Sequence, residues 1–236
     1  MTYNTHLLSG TGEDELKRET IEKPFYDFSQ YPGDGWPSWA FSNHDVVRSV
    51  TRWGKGIENK DSFAILLNKL LLSLRGTPFL YQGEELGLPE ASIPYEKLQD
   101  PWGIFLWPEW QGRDGCRTPM PWNKEQPDTG FSNKNDPAIE LWLPIPEEHT
   151  SRAVDVQEND ENSVLNQTRE FIRWRKTQPL LQIGEIEFVD TKNEQLIAFK
   201  RFDENNSMTC IFNISEEKIS FDGKEIKVLE ALYIEN

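Results

Sequence analysis

The run WPSWAF, residues 36 to 41, limits the fold more than any other stretch of the chain. Its near-continuous apolar character predicts a strand buried on both faces, the pattern of a parallel sheet covered by helices. It then turns abruptly polar, through Ser42, Asn43, His44 and Asp45, with Arg48 three residues on. An imidazole, a carboxylate and a guanidinium therefore stand where a buried strand hands over to a loop. In α/β folds that is the end at which active sites are built.

The flanking sequence supports an α/β reading. Residues 1 to 8 suit a short strand. GEDELKRETIEKPFYDF, from Gly12, reads as a helix with acidic residues early, with Leu16, Thr20 and Ile21 on one side. Tyr31 to Gly35 is a loop by its breakers. A helix capped by Asp61 is expected to run to about Arg75 and to end at Gly76-Thr77-Pro78, with FLYQG, 79 to 83, as a third strand. The order strand, helix, strand, helix, strand predicts parallel strands. Residues 93 to about 162, rich in Pro, Trp, Gly and Asp, read as a long loop, and a loop of that length is functional or carries small elements of its own. VLNQTREFIRWRKTQPLL, 164 to 181, returns to helical spacing, and Pro179 closes it. Beyond Gly184 short alternating runs are separated by turn-prone DTKN, DENN, SEEK and FDGK, and Asp222-Gly223 is a hairpin signal. The expected organisation is an α/β unit over 1–182 and a small antiparallel β domain over 183–236.

Composition narrows the partners. A formal net charge of −15 repels phosphate, which argues against nucleic acid and anionic membranes and suits a neutral ligand such as a sugar. FAILLNKLLLSL, 63 to 74, is too short to span a bilayer and carries Asn68 and Lys69. MTYNTHLLSG has neither a basic segment nor a long apolar core, so a cytoplasmic location is expected, with Cys116 and Cys210 as reduced thiols. Most of the nine Trp are expected to pack in the core, with some as walls of a site.

Three stretches carry candidate chemistry. Asp45 among aromatic walls can stabilise positive charge developing at a sugar's anomeric carbon, and His44 can donate to hydroxyls. Arg48 can hold a carboxylate in its charged form. A His-Asp pair also serves as metal ligands in some phosphohydrolases, but the only other histidines are His6 and His149, and no metal-ligand spacing occurs. The loop GRDGCRTPMPW, 112 to 122, sets Arg113, Asp114 and Arg117 within five residues. It reads either as a solvated loop with a local ion pair or as a rigid loop presenting a guanidinium fork. In TPFLYQGEELGLPEA, Glu84 and Glu85 point apart, so one is expected to orient the loop while the other is solvated.

FSNHDVVR, GTPFLYQGEELGLPEA and GRDGCRTPMPW together resemble the α-glucosidase and oligo-1,6-glucosidase branch of the α-amylase family of glycoside hydrolases (glycoside hydrolase 13). The likeness covers most of residues 1 to 182, and the β segment fits that family's C-terminal domain. The resemblance implies a (β/α)8 barrel followed by a β domain, of which this chain supplies about strands 6 to 8. It implies retaining cleavage of α-glucosidic bonds with no cofactor and no metal. Asp45 is implied as the catalytic carboxylate that stabilises the transition state, and His44 as a contact to the glucose in the cleavage subsite. Arg117 is implied to clamp that glucose, with Arg113 beside it.

A retaining glycosidase needs two carboxyl groups, a nucleophile and an acid/base, about 5 Å apart. In the family both precede the His-Asp motif by many residues, and neither motif is found in the 43 residues before His44. The expectation is the C-terminal part of an enzyme that hydrolyses maltose- or isomaltose-type oligosaccharides, inactive alone. Its partners would be an α-glucoside and a separate N-terminal half-barrel chain. A non-catalytic remnant that binds sugar, or a metal-dependent His-Asp hydrolase, are the alternatives.

Overall fold

A computed structural model describes residues 2–8, 15–30, 35–132 and 140–235. Strands β1 (Thr2–Tyr3), β2 (Pro37–Ala40) and, further on, β3 (Thr77–Phe79) form one parallel sheet in the order β1-β2-β3. Between β1 and β2 runs helix α1 (Arg18–Ser29); between β2 and β3 run the single turn α2 (Ser49–Arg52) and the long α3 (Lys60–Ser73). All four residues of β2 are buried, as WPSWAF requires. Among the described residues, β1 and β3 each pair on one side only, and Phe79 at the end of β3 is exposed.

Trp39 is the pivot of this layer. Its ring packs against Phe25 of α1 at a centroid distance of 4.4 Å, and its Nε1 donates to the carbonyl of Arg75 at 2.7 Å. Gly76 follows with φ +134°, and a Cβ there would lie 2.8 Å from both the Pro37 carbonyl and Trp39 Nε1. The chain can turn from α3 into β3 only without a side chain at that position.

Helix α3 is apolar on most sides and is covered accordingly. Phe63, Leu66, Leu67, Leu70 and Leu71 are buried in a core that also holds Trp39, Phe171, Phe199 and Phe212. Burying each Leu contributes about 1.5–3 kcal/mol. The N-cap of α3 is Asn59, whose side chain accepts from the Ser62 N–H at 3.0 Å; Asp61 lies inside the first turn and pairs with Arg152. The helix ends at Ser73, and Thr77-Pro78 open β3. The third strand thus starts two residues before the expected position, and of FLYQG only Phe79 is in it; Leu80 to Gly83 continue as loop.

The long connection after β3 carries small elements: α4 (Pro101–Phe105), α5 (Glu147–Thr150), α6 (Val154–Glu158) and short 3-10 turns. Then come α7 (Val164–Arg175) and α8 (Pro179–Ile183). Pro179 opens α8 at its first position, where a missing N–H costs nothing, instead of closing the preceding helix. Helix α1 begins at Arg18; Glu15 to Lys17 are not helical, and Gly12 to Asp14 lie outside the described residues, as do Tyr31 to Asp34 of the expected loop.

After Gly184 the strands β4 (Glu185–Phe188), β5 (Leu196–Phe202), β6 (Ser207–Asn213), β7 (Ile219–Phe221), β8 (Lys224–Ile226) and β9 (Ala231–Glu235) are antiparallel. They form a sheet ordered β4-β5-β6-β9 and the hairpin β7-β8. Asp222 (φ 51°) and Gly223 (φ 73°) both take positive φ, the two-residue turn that the sequence signals. Between β8 and β9, Leu229 stands at φ 48°, which keeps the alternating residues 227–234 from forming one strand.

This sheet shares its core with α3. Arg201, 0% exposed, donates to the carbonyls of Ser73, Gly184 and Glu185 at 2.6, 2.8 and 3.2 Å, and so ties the C-terminal end of α3 to β4 and β5. Burial pushes its guanidinium down to about 10.

Candidate active site

The polar run after β2 leaves the sheet at its carboxyl end. Asn43 Oδ1 accepts from the Asp45 N–H at 2.8 Å, a local turn that presents the Asp45 carboxylate outward, about half exposed. Asp45 Oδ1 accepts from Arg113 Nη1 at 3.0 Å and from Arg117 Nη2 at 3.1 Å. Its other oxygen, Oδ2, stands 3.4 Å from His44 Nε2. Arg117 Nε donates to the His44 carbonyl at 2.7 Å, so the same guanidinium fixes both the backbone and the acid. Of the residues singled out in the sequence, His44, Asp45, Arg113 and Arg117 meet at one point, with two guanidiniums of the loop 112–122 turned onto Asp45.

Two buried acids set that loop. Asp114, 0% exposed, accepts from the Gln99 and Asp100 N–H groups at 2.6 and 2.8 Å. Asp100, 1% exposed, accepts from Arg113 Nε, Nη2 and N at 2.8, 2.9 and 2.9 Å, and also caps α4 through the Trp102 N–H. The Arg113 guanidinium holds the Asp100 carboxyl at about 2. Gly112, at φ +76°, crosses Gly103 so closely that a Cβ on it would lie 2.8 Å from the Gly103 Cα and 2.9 Å from Asp100 Oδ2. Asp100 carries no signal in the sequence beyond Asp-Pro before a helical turn.

Behind the rim lies a second polar layer. Arg48, 1% exposed, donates through Nη1 to the Gln82 carbonyl at 2.7 Å and through Nη2 to the Cys116 carbonyl at 3.1 Å. The expected carboxylate partner is thus replaced by two carbonyls, because the guanidinium reaches across to the loops after β3 and around Cys116. A carboxylate meets its backbone instead: Glu90 Oε2 accepts from the Arg48 N–H at 2.9 Å. Glu84 is buried and accepts from the Tyr81 N–H at 2.8 Å and the Ser49 hydroxyl at 3.1 Å. Glu85 is not solvated; half-buried, it accepts from the Gly83 N–H at 2.8 Å. Burial raises all three carboxyls, Glu90 to about 7.

Five of the nine Trp, at 102, 107, 110, 122 and 142, are at least a third exposed, against the expectation of core packing. All five lie in the long connection 93–162, which also supplies Arg113 and Arg117. Cys116 and Cys210 are buried free thiols. Among the described residues no group of three or more His, Cys, Asp or Glu stands ready to hold a metal ion, and no helix is long and apolar enough to cross a membrane.

One open carboxylate, gripped on one oxygen by two guanidiniums and beside an imidazole, at the mouth of a parallel strand: that arrangement suits binding hydroxyls and stabilising adjacent positive charge. Residues 15–184 match the family described as alpha amylase, catalytic domain. The chain belongs to the alpha-amylase family. It is 50% identical over 204 residues to a probable alpha-glucosidase of Rhizobium meliloti, which covers 86% of this chain and 36% of the relative. It is 32% identical over 213 residues to an oligo-1,6-glucosidase of Saccharomyces cerevisiae, over 80% of this chain and 36% of the relative. The chain thus spans about a third of the length of these curated relatives. Among solved structures, an alpha-glucosyl transfer enzyme is 40% identical and superposes with a TM-score of 0.82 over all of this chain and 44% of its own. The trehalose-6-phosphate hydrolase of Bacillus licheniformis, 20% identical, shares the fold with a TM-score of 0.82 over 99% of this chain and 50% of its own.

Proposed function

We propose that the chain is the C-terminal part of a retaining α-glucosidase that hydrolyses maltose- or isomaltose-type oligosaccharides. In this reading β1, β2 and β3 are strands 6 to 8 of an eight-stranded barrel, residues 1–182 belong to the catalytic domain, and 183–236 form the C-terminal β domain. Asp45 stabilises the glucosyl cation in the transition state. His44 and Arg117 hold the hydroxyls of that glucose, with Arg113 beside them. The remaining barrel strands, with the nucleophile and the acid/base, come from a separate N-terminal half-barrel chain. The setting is cytoplasmic, with both thiols reduced.

The observation that carries the reading is the state of the carboxylates at the rim. Asp45 keeps Oδ2 toward the open side while Oδ1 is charge-paired twice. Asp100, bonded to Asp45 only through Arg113, is saturated and held at about 2, so it cannot deliver a proton near neutrality. A double displacement needs a nucleophile and a separate acid/base, and Asp45 alone cannot serve as both.

The test is to follow the anomeric proton of glucose released from maltose and isomaltose by NMR, for the chain alone and with an N-terminal half-barrel. Retention of the α-anomer by the mixture, and no release by the chain, is expected. Sugar binding without turnover in the mixture would favour a non-catalytic remnant. The 40% identical structure is named for α-glucosyl transfer, so transfer products are scored alongside glucose.

A further inference from the structure

We infer that Asp100, which touches neither Asp45 nor the open side of the site, is a positioning residue: it aims the Arg113 guanidinium at Asp45. The inference rests on the reading of Asp45 given above. A guanidinium is planar, and fixing two of its nitrogens on one carboxylate fixes the direction of the third. Asp100 takes Nε at 2.8 Å and Nη2 at 2.9 Å, and Nη1 then faces Asp45 Oδ1 at 3.0 Å. All three nitrogens of Arg113 are thereby engaged within the protein. Its chemical part is to hold charge against Asp45.

The clamp is built from both sides. Arg113 donates to the side chain of Asp100, while its neighbour Asp114 accepts from the backbone of Asp100 and Gln99. Gly103 and Gly112 bring the two segments into contact. The arrangement is buried at Asp100 and Asp114 and opens only where Nη1 meets Asp45. With the grip removed, Arg113 regains the rotamer freedom of an exposed arginine and loses its fixed aim.

The test uses Asp100→Asn, which keeps the volume and the cap of α4 but discards the charge. It is combined with Arg113→Ala and the double variant, in the enzyme assembled from this chain and its N-terminal half. Asp100→Asn is expected to lower kcat on a chromogenic α-glucoside about 10- to 100-fold, with KM changed less, as for loss of an interaction made in the transition state. In the Arg113→Ala background it is expected to have no further effect. On the chain itself, the Arg113 Nε–H resonance should broaden in Asp100→Asn while that of Arg117 stays put. Losses that multiply independently, or an Arg113 resonance unmoved by the substitution, would overturn the inference. An inactive wild-type assembly would sink the glucosidase reading instead, and the resonance alone would then decide for or against the clamp.

Discussion

Glu90 and His149 make opposite demands on pH, and their near-cancellation can be unmasked by one substitution. His149 is 0% exposed, with Nε2 2.8 Å from the Pro89 carbonyl and Nδ1 3.1 Å from the Thr118 hydroxyl. A carbonyl only accepts, so Nε2 carries the hydrogen and the neutral ring accepts from Thr118 at Nδ1. Burial pushes the ring down to about 4, against an ordinary value of 6.5. Burial pushes the neighbouring Glu90 carboxyl up to about 7, from 4.5. A raised carboxyl stabilises the fold below its unfolded value, and that stability is lost as pH rises toward the folded one. A depressed imidazole stabilises above its unfolded value and loses that as pH falls.

Each pH step inside its window shifts stability by about 1.4 kcal/mol, so each group contributes about 3 kcal/mol in total. Between pH 4.5 and 6.5 the two slopes oppose and largely cancel. Glu90→Gln leaves the histidine slope exposed. Its stability relative to wild type should fall by about 2–3 kcal/mol on acidification from pH 6.5 to 4.5. His149→Gln should show the reverse slope over the same interval. Urea titrations at low protein concentration, read by tryptophan fluorescence at half-unit steps, give the differences. A Glu90→Gln curve that runs parallel to wild type from pH 6.5 to 4.5 would refute the assignment of Glu90 as the carboxyl held protonated.

Further outcomes follow from other contacts. Arg201→Met strands the carbonyls of Ser73, Gly184 and Glu185 in the shared core and should destabilise by about 3–5 kcal/mol, seen as a lower Tm. Gly112→Ala sets a Cβ against Gly103 and Asp100 at φ +76°; it should cost about 1–3 kcal/mol and disorder the Arg113 side chain, read by its Nε–H resonance. With the three-stranded parallel sheet as only part of an eight-stranded barrel in the proposed reading, the isolated chain should self-associate, with light scattering showing higher-order species that an added N-terminal half suppresses.

The parts of this fold that the sequence makes legible are those governed by local pattern. WPSWAF announces a buried parallel strand because apolar continuity has few other outlets, and Asp222-Gly223 announces its turn because few residue pairs accept two positive φ angles. Boundaries were harder where two signals compete. Asn59 and Asp61 are both good caps, and only the Ser62 N–H decides between them. Pro179 suits either the end of one helix or the start of the next. Strand β8, three residues of Lys, Glu and Ile, has too little alternation to be seen. His44, Asp45, Arg113 and Arg117 stood out because charged groups among Gly, Pro and aromatic residues are conspicuous. Asp100 and Glu90 did not, since their roles come from partners 13 and 42 residues away.

In the proposed function, Asp45 assists α-glucosidic cleavage only when a complementary half-barrel brings the other carboxyl groups to it. Initial rates on a chromogenic α-glucoside should be measured for the chain, the N-terminal half, their mixture, and the mixture carrying Asp45→Asn. The account predicts turnover in the wild-type mixture alone, with the Asp45→Asn mixture slower by at least about 100-fold, the scale of removing one electrostatic stabiliser of a transition state. Turnover by the chain alone at the rate of the mixture, or an Asp45→Asn mixture as fast as wild type, would contradict it.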